Sequence, residues 1–308
     1  SPTFFGMFLP AVSPRALVRP TAALVAAVLL LTGLTLGSAP AQAGGKERAQ
    51  ERKAAAFASG KKFAVATLNL KKGMRVAGMR HDIGQVLDGD ASVIGFQERL
   101  FSRPALRASL PKSWTLLMPK GPTGTDDNPI AFDKDVWELR KTWSALLTGQ
   151  TWRRQSGQIA HDQYGVVAVL RHRQTGHTIR AVSFHLPNHL HNRRTGGPNY
   201  ANRGGVQAMW RMASRVRFLK EDAPKAQQFV AMCDCNVTEN RDTGDHLVKG
   251  RITRPLRLET NYTGRKGGSG IDYVMGERDS AYRIHSFQSY RKLVTDHPGI
   301  VATFARAR

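Results

Sequence analysis

The chain has 308 residues with 46 lysines and arginines, 23 aspartates and glutamates and only two cysteines, and its formal net charge is +23 at pH 7. Two cysteines are too few for a disulfide-stapled small domain, and the lack of an internal repeat argues against a repeat architecture. The positive surplus predicts attraction to nucleic acid, anionic lipid surfaces or phosphorylated small molecules, with solubility or cell-wall adhesion as the alternative.

The first 43 residues predict an export signal. Two arginines precede an uncharged apolar stretch at 22–36, and the small residues at 41–43 form a cleavage pattern. An uncleaved membrane anchor is the alternative, because no charge occurs between the second arginine and Lys46. With either outcome we expect the rest of the chain outside the cytoplasm, and cleavage would start the mature protein near Gly44.

The remainder of the chain is expected to form one catalytic domain behind a short lead-in. It has about 265 residues, an ordinary size for a single two-sheet α/β enzyme. Because the first 43 residues hold two basic and no acidic side chains, the remainder carries a net charge of +21. Residues 44–62 are charged and rich in alanine without a strand pattern, which predicts a flexible or loosely helical lead-in. The catalytic domain would then span 63–308.

Strand-like and helical patterns alternate from Phe63 onward, which predicts an α/β protein with mixed sheets. The clearest helix, at about 205–220, has apolar residues at helical spacing, and a second helix is predicted at about 75–88. The loop 192–205 is rich in Gly, Asn and Arg and should be exposed. The predicted strands are 63–69, 92–97, 129–133, 165–171, 178–185, 228–234, 271–275, 282–288 and 299–304.

The two cysteines, Cys233 and Cys235, lie two positions apart on a predicted strand. Both side chains should point to the same face, with β-carbons too far apart for a relaxed disulfide. We therefore expect no bridge between them and a role as small buried hydrophobes. Asp234 and Asn236 should point to the opposite face and emerge together at the end of the strand.

Short polar signatures stand where the predicted strands stop. If the fold brings these strand ends together, carboxylates, amides and imidazoles share one cleft, and such groups suit a hard divalent cation and a phosphate. The signatures are Asn69 in TLNL, Gln97-Glu98 in VIGFQE, His185 in AVSFHLP, Asp234 and Asn236 in FVAMCDCN, Asp272 in SGIDYVM and Asp296-His297 in VTDHPGIV.

The order of these signatures resembles the endonuclease/exonuclease/phosphatase superfamily across residues 63–304. The resemblance implies a four-layer α/β sandwich of two packed mixed β-sheets flanked by helices, and hydrolysis of phosphoric esters. The apurinic-endonuclease branch has an acid where this chain has Lys71 and usually lacks a histidine at the place of His185. The chain is therefore more similar to the deoxyribonuclease and sphingomyelinase side.

The resemblance also implies a metal site. Glu98 would be the principal ligand, and Asn69 and Asp296 would be its direct or indirect partners at the same ion. Oxygen donors of this kind favour Mg²⁺, with Mn²⁺ or Ca²⁺ as substitutes.

The remaining signature residues would carry out the reaction. Asp234 would position or deprotonate the attacking water, and the Asn236 amide would hold a non-bridging phosphoryl oxygen. Asp272 would fix the tautomer of His297 and support its cationic form. His185 would contact the phosphate or protonate the leaving oxygen.

Three further assignments stay open at this point. Arg193, Arg194 and Arg203 could clamp phosphates along a polyanion, or could belong to a solvated loop. Tyr164 is a candidate for the phosphate-contacting tyrosine of the family, with a core aromatic as the alternative.

The carboxylate that would orient His185 is the third open assignment. Its candidates are Asp126 and Asp127, which lie on a predicted loop.

The preferred hypothesis is a secreted metal-dependent phosphodiesterase that hydrolyses nucleic acid, because Lys and Arg distributed along the chain favour binding of a phosphodiester backbone. One alternative keeps the same site on another substrate, as a sphingomyelinase or an inositol-phosphate or phospholipid headgroup hydrolase. Another is an inactive polyanion-binding surface protein. No protein partner is predicted.

Overall fold

The computed structural model describes residues 60–70, 73–98, 103–122, 125, 127–149, 162–190, 192, 194–195, 197–238, 247–260 and 270–307. The expected export signal, most of the lead-in, Asp126 and Arg193 lie outside these residues. Within them, no helix is both long and apolar enough to cross a membrane.

The described chain forms twelve strands and three α-helices, with a 3₁₀ turn at Tyr200–Asn202 and a π-helical turn at Lys249–Thr253. The helices are α1 (Val76–Leu87), α2 (Arg103–Ser109) and α3 (Arg203–Glu221). The strands are β1 (Lys62–Asn69), β2 (Ala91–Gln97), β3 (Trp114–Leu117), β4 (Ile130–Asp133), β5 (Trp137–Thr148), β6 (Gln163–His172), β7 (Thr178–His185), β8 (Gln227–Asp234), β9 (Leu258–Thr260), β10 (Asp272–Glu277), β11 (Tyr282–Tyr290) and β12 (Gly299–Arg306).

The strands form two six-stranded mixed sheets. Sheet A has the order β11-β12-β1-β2-β4-β3, and sheet B has the order β5-β6-β7-β8-β10-β9. In each sheet one pair is parallel, β1 with β2 and β7 with β8, and the other pairs are antiparallel. Every predicted strand is present, and the two predicted helices correspond to α1 and α3.

Alternation along the strands assigns each side chain to one of two cores. In β1, Phe63 and Val65 pack between the two sheets, whereas Ala66 and Leu68 pack outward beneath α1 and α2. Because successive side chains of a strand point to opposite faces, Asn69 shares the inter-sheet face of Phe63 and Val65. The strand is buried on both faces, so its sequence is almost continuously apolar until that asparagine.

The outer face of sheet B is covered by α3. Met209, Met212 and Val216 pack against Phe184 and Phe229. The helix begins at Arg203 rather than at 205, because Asn202 precedes it and its side chain accepts a hydrogen bond from the Gly205 N–H. Helices α1 and α2, sheet A, sheet B and helix α3 thus form the four expected layers.

The prediction about the cysteines is wrong in one respect, because Cys233 and Cys235 form a disulfide. Strand β8 ends at Asp234 and Asn236 has a left-handed φ of 52°, so the backbone turns immediately after the strand. The two Cα atoms are therefore 5.3 Å apart, a separation that a disulfide can bridge. Both residues are fully buried on the α3 side, as expected.

Candidate active site

Strand register gathers the polar signatures of sheet B. Asp234 is the pairing partner of His185 on the parallel neighbour β7 and of Asp272 on the antiparallel neighbour β10. In all three strands these positions share the face that looks toward sheet A, since Phe184, Cys233 and Tyr273 occupy the opposite face. The three side chains therefore meet in the space between the sheets.

Asn69 connects this group to sheet A. Its Nδ2 donates a hydrogen bond to Asp234 Oδ2 at 2.8 Å, with both side chains buried. Asp234 Oδ2 also lies 3.3 Å from His185 Nε2 and 3.7 Å from His297 Nδ1, and the Asn236 N–H donates to its Oδ1 at 2.9 Å. Asp234 is thus the centre of the arrangement, which we call the Asp234 cluster. Its members are Asn69, Glu98, His185, Asp234, Asn236, Asp272 and His297.

Asp234 is held in its ionised form. Burial alone would raise its pKa, but the charges of His185 and His297 and the hydrogen bonds from His185 and the Asn236 N–H outweigh burial, so the pKa is lowered. The reciprocal effect raises the pKa of His185: burial opposes the charge on the ring, and the carboxylates of Asp234 and Glu98 favour it more strongly.

Asn236 fixes the position of His185 through a second contact. Its Nδ2 donates to the Leu186 carbonyl at 2.9 Å and lies 2.8 Å from His185 Nε2. The ring nitrogen can accept from this amide when the imidazole is neutral and can donate to Asp234 when the imidazole is cationic. His185 therefore has a hydrogen-bond partner in either protonation state.

Asp272 and His297 form a buried carboxylate-imidazole pair. His297 Nδ1 lies 3.1 Å from each Asp272 oxygen, so its N–H donates to the carboxylate. Burial lowers the pKa of His297, but the hydrogen bond and charge of Asp272 raise it to about 9. Burial raises the pKa of Asp272 to about 6, with the charge of Asp234 adding to burial and His297 opposing it. The pairing predicted from sequence is therefore formed.

Glu98 follows β2 at the solvent edge of the cluster. It has a φ of 55°, an unfavourable conformation for a residue with a side chain, of the kind that clusters at functional sites. Its side chain is 39% exposed, and Oε1 lies 3.9 Å from His185 Nε2. Ligand atoms of Glu98, His185 and Asp234 all lie within 4.8 Å of one another, as do those of Asp234, Asp272 and His297.

The donors around Glu98 fit a divalent cation. Asn69 Oδ1 is buried and accepts no hydrogen bond from any residue that the structure describes, although the amide nitrogen of the same side chain is satisfied by Asp234. A buried carbonyl oxygen without a donor is costly, and a hard cation would satisfy it. Amide and carboxylate oxygens with one imidazole form a donor set that Mg²⁺ or Mn²⁺ accepts.

Asp296, the third expected metal partner, is placed less centrally. Thr295 Oγ1 donates to the Asn69 carbonyl at 2.9 Å, which holds this loop beside the end of β1. The Asp296 side chain is exposed, and its charge helps to raise the pKa of His297. Within the described residues it belongs to neither group of close ligand atoms. Its role as a metal partner stays a prediction.

The three arginines expected to bind substrate are exposed or lie outside the described residues. Arg193 is not among the described residues. Arg194 is exposed in a turn closed by the Asn192 side chain, and Arg203 is the exposed first residue of α3. Their role stays a prediction.

Tyr164 and the carboxylate partner of His185 can now be placed. The Tyr164 hydroxyl donates to Asp162 at 3.4 Å, and desolvation together with that carboxylate raises its pKa. Asp127 is exposed, and among the described residues the carboxylate nearest to His185 Nε2 is that of Asp234. Asp126 lies outside the described residues, and within them Asp234 is the carboxylate partner of His185, in addition to the role in water activation expected from the sequence.

Sequence reasoning missed most of the residues that support the cluster, and it named Gln97 without a role. Gln97 donates to Ser183 Oγ at 3.2 Å, and this hydroxyl donates to the Phe96 carbonyl, so a second buried polar link joins the sheets. Asp82 is fully buried on α1 and accepts the backbone N–H groups of Val294 and Thr295. Its signal was available, because it lies on the apolar stripe of its helix next to Met79, Ile83 and Val86.

Comparisons with known proteins identify the fold. No family model matches the sequence, and no curated protein matches it. Among solved structures, an endonuclease/exonuclease/phosphatase from Bacteroides vulgatus is 17% identical with a TM-score of 0.60, covering 80% of this chain and 99% of that one. A mannosyl-6-phosphatase from Bacteroides thetaiotaomicron is 14% identical with a TM-score of 0.58, covering 79% and 99%.

The TDP2 protein of D. rerio, solved with a single-stranded DNA product, is 13% identical with a TM-score of 0.52, covering 79% of this chain and 98% of that one. The chain therefore has the endonuclease/exonuclease/phosphatase fold, an α/β sandwich of two six-stranded mixed sheets flanked by helices. The fold expected from the order of polar signatures is confirmed.

Proposed function

We propose that the protein is a divalent-metal-dependent phosphodiesterase and that its reaction takes place at the Asp234 cluster. The observation that carries the proposal is Asp234 itself. This buried carboxylate is held ionised by two imidazoles and by an amide from the opposite sheet. Apolar side chains of similar volume would pack the same space at no loss of stability, so the arrangement is better explained by chemistry.

Glu98 and Asn69, with Asp296 at the exposed side, would hold the cation, with Mg²⁺ preferred and Mn²⁺ or Ca²⁺ as substitutes. When bound, the cation supplies charge neutralisation at a non-bridging phosphoryl oxygen and at the leaving oxygen. Asn69 Oδ1 supports this assignment, because within the described residues that buried atom accepts no hydrogen bond.

The protein side chains would direct and stabilise the reacting groups. Asp234, with its lowered pKa, orients water in line with the scissile bond and accepts its proton, with His297 beside it. Asp272 holds the His297 ring through Nδ1 and keeps it cationic near neutral pH. Asn236 and His185 stabilise the charge that develops on the phosphoryl oxygens.

Nucleic acid is the preferred substrate. The net charge of +21 after removal of residues 1–43 favours a long polyanion over a single phosphate. The D. rerio TDP2 structure contains a single-stranded DNA product, so a protein of this fold accommodates such a chain. The mannosyl-6-phosphatase has the same fold, which supports a small phosphorylated molecule or lipid headgroup as the second candidate.

The place of action is part of the proposal. We infer export from the N-terminal pattern of arginines, apolar stretch and small residues within 1–43. An extracellular phosphodiesterase would meet nucleic acid released from other cells, and no protein partner is required for that role.

One experiment tests the function directly. Plasmid DNA, RNA, sphingomyelin and inositol phosphates are each incubated with the protein in Mg²⁺ or in chelator, beside Asp234→Asn. Asp135→Asn, an exposed aspartate in the β4–β5 turn, is the matched control. We expect Mg²⁺-dependent nicking of DNA or RNA that weakens steeply with salt, is lost in Asp234→Asn and is kept in the control.

Two outcomes would count against the proposal. Intact DNA and RNA at low salt with Mg²⁺ would exclude the nuclease, and release of phosphocholine or inorganic phosphate would then support the second candidate. Equal cleavage by wild type and Asp234→Asn would remove the cluster from the reaction.

A further inference from the structure

A long open groove lies between α3 and the edge strand β5 of sheet B, outside the Asp234 cluster. Its volume is about 630 Å³. We call it the α3–β5 groove. Its lining residues are Leu147, Gln207, Trp210, Arg211, Ser214, Arg215 and Phe218.

The α3 residues that line this groove are basic or neutral. Arg203, Gln207, Arg211 and Arg215 follow one another at intervals of four residues, and each step advances about 6 Å along the helix. Residues four apart lie on the same face of a helix. The helix thus presents a row of donors that suits a row of regularly spaced anions, and Glu221 is its first acidic residue.

Aromatic rings accompany this row. Phe218 is 49% exposed with the Arg215 guanidinium 4.7 Å from its ring centroid, and the Arg251 guanidinium lies 5.0 Å from the ring of partly buried Trp210. Guanidinium groups with ring faces are the surfaces on which single-stranded nucleic acids are bound without regard to sequence. A lone phosphate would use the charges but not the rings.

The groove starts at the same end of sheet B as the cluster. The Asn202 side chain, immediately before α3, donates to the Asn188 carbonyl only three residues after His185. On the other wall, Leu147 lies near the end of β5, where Thr148 pairs with Gln163 of β6. The register of β6 with β7 puts that end beside His185. The cluster faces sheet A and the groove lies on the outer face of sheet B, so a nucleic-acid strand leaving the cluster would turn around this end of the sheet to enter the groove.

A second basic cleft provides a contrast. It has a volume of about 510 Å³ and is lined in part by Lys249, Arg254, Arg257 and Arg278. It also contains Glu259, and Arg257 pairs with Asp279 at 2.8 Å, so part of its charge is already neutralised. It lies beyond Glu277, at the opposite end of β10 from Asp272 and about 17 Å along the strand. This cleft does not continue the cluster.

We propose that the α3–β5 groove binds the phosphodiester backbone of a single nucleic-acid strand whose scissile bond lies in the Asp234 cluster. The inference rests on the proposed phosphodiesterase function and extends it, because it assigns a track for nucleotides beyond the reacting phosphate. Arg211 and Arg215 contact phosphates, and Phe218 and Trp210 provide the faces for bases.

Binding in chelator tests the groove without cleavage. The affinity of a fluorescent single-stranded DNA of about 20 nucleotides is measured over a range of salt for wild type, the double variant Arg211→Gln, Arg215→Gln and a control. The control, Arg173→Gln with Arg278→Gln, removes the same charge at two exposed positions away from the groove. Loss of two phosphate contacts should reduce the slope of log affinity against log salt by about 1.4, which weakens binding about tenfold at 0.15 M salt.

Each result decides the matter. The control should differ from wild type by less than about twofold, since it alters only the general field of the protein. If DNA binding is weakened equally in both double variants, or in neither, the groove is not the binding site. If the double variant Arg211→Gln, Arg215→Gln loses binding to phosphatidylserine vesicles but keeps its DNA affinity, the proposal is also wrong, and the groove is a membrane-binding surface. If wild type binds DNA as expected but cleaves nothing in Mg²⁺, the proposed phosphodiesterase function is wrong, whereas the assignment of DNA binding to the groove is still supported.

A different observation carries a second inference, about Asp82. Its carboxylate accepts the N–H of Val294 at 2.8 Å and of Thr295 at 2.9 Å, and His81 Nδ1 lies 2.9 Å from Oδ1. The bonds reach across 212 and 213 residues of sequence to the loop that carries Asp296 and His297. A buried carboxylate with two backbone donors fixes that loop against α1.

We infer that Asp82 is a positioning residue for His297 and Asp296. It touches neither the substrate nor the cluster, and it acts by setting where the loop after β11 stands. A displacement of reacting groups by about 1 Å can cost about 100-fold in rate, so loss of this anchor should act mainly on kcat.

Asp82→Asn and Thr295→Val test the inference on the two sides of the loop. Asp82→Asn keeps shape but replaces one acceptor by a donor, and Thr295→Val removes the bond to the Asn69 carbonyl. At a temperature where denaturant curves show both variants folded, we expect kcat for plasmid cleavage to fall by about tenfold or more with KM within about twofold. Unchanged kcat in both variants, or a loss in KM alone, would overturn the assignment.

Discussion

The space between the two sheets has one aromatic end and one polar end. At the start of β1, Phe63 stacks on Phe304 at 4.8 Å and meets Trp137 edge-on at 5.4 Å. At the end of the same strand, Asn69 meets Asp234. Phe63 and Asn69 share one face of β1 and are about 20 Å apart. One layer of the molecule therefore has two chemically opposite regions.

The difference between these ends separates stability from function. The aromatic end buries large rings, and two of them have satisfied polar atoms, since the Trp137 N–H donates to Ser92 and the Tyr282 hydroxyl donates to the Gly60 carbonyl. The polar end confines two carboxylates whose burial costs free energy. Substitutions at the polar end should therefore change the reaction, and substitutions at the aromatic end should change the free energy of unfolding.

The largest expected effect is at the polar end. Asp234→Asn should lower kcat for nucleic-acid cleavage by about 10³–10⁴-fold, because the group that orients and deprotonates water is lost. The free energy of unfolding should change by less than about 1.5 kcal/mol, since the amide oxygen can still accept from Asn69. Steady-state kinetics and urea denaturation measure the two quantities. A large loss of stability with kcat preserved would contradict the division between the ends.

The reverse result is expected at the aromatic end. Phe63→Ala should reduce the free energy of unfolding by about 3–5 kcal/mol, because it removes a fully buried ring from a stack of aromatic neighbours. The kcat per folded molecule should stay within about twofold of wild type, because the nearest cluster residue is about 20 Å away. Phe63→Leu is the milder control. Loss of kcat in fully folded protein would show that the two ends are coupled.

Above pH 6.5 the pH dependence should come from the polar end, because burial lowers the pKa of His172 and His177 at the aromatic end and keeps both rings neutral there. The folded pKa of His297, about 9, exceeds its usual value of 6.5, so its stabilising contribution is complete below pH 6.5 and is lost as the pH rises through about 9. Asp272, with a pKa of about 6, is ionised over that range. In chelator, the midpoint temperature of thermal unfolding of the wild type should decrease as the pH rises from 6.5 to above 9.

Asp272→Asn should reduce that fall, because the carboxylate is what raises the pKa of His297. His185, whose pKa is also raised, keeps a slope of the same sign. Phe63→Leu should keep the full pH dependence. A slope as steep in Asp272→Asn as in wild type would assign the dependence to other groups.

The smallest expected effect concerns the buried link beside the cluster. Ser183→Ala removes a hydroxyl that donates to the Phe96 carbonyl at 3.0 Å and accepts from Gln97. The free energy of unfolding should fall by about 1 kcal/mol, as for one buried hydrogen-bonded group, and kcat should fall slightly. Thermal melts and kinetics are sufficient. An effect as large as that of Phe63→Ala would mean that this link, and not the aromatic stack, holds the sheets together.

The comparison also explains how much the sequence could predict. Strands buried on both faces, such as β1 and β8, were recognised because their apolar runs are nearly continuous and their polar end residues stand out. Strand β5 was missed, because it is an edge strand with charged residues on its exposed face and two irregularities in its pairing with β6. The short strands β3 and β9 and the helix α2 were too brief for a periodic signal.

The candidate site was predictable in its members but not in its connections. Successive side chains of a strand point to opposite faces, and this alternation puts Asn69, Asp234 and Asp272 on the inter-sheet face, as could be derived from the sequence. The bond between Asn69 and Asp234 depends on how two sheets pack, and the anchor at Asp82 spans more than 200 residues of sequence. The Cys233–Cys235 disulfide was missed for a local reason, because the strand was assumed to continue past Asp234.

Metal binding tests the central claim most directly. Calorimetric titration of Mn²⁺ into wild type, Glu98→Gln and Phe63→Leu compares the polar end with the aromatic end in one experiment. We expect a cation site in wild type and in Phe63→Leu, with affinity weakened at least tenfold in Glu98→Gln, because a carboxylate ligand is replaced by a neutral amide. Equal affinity in wild type and Glu98→Gln would contradict it.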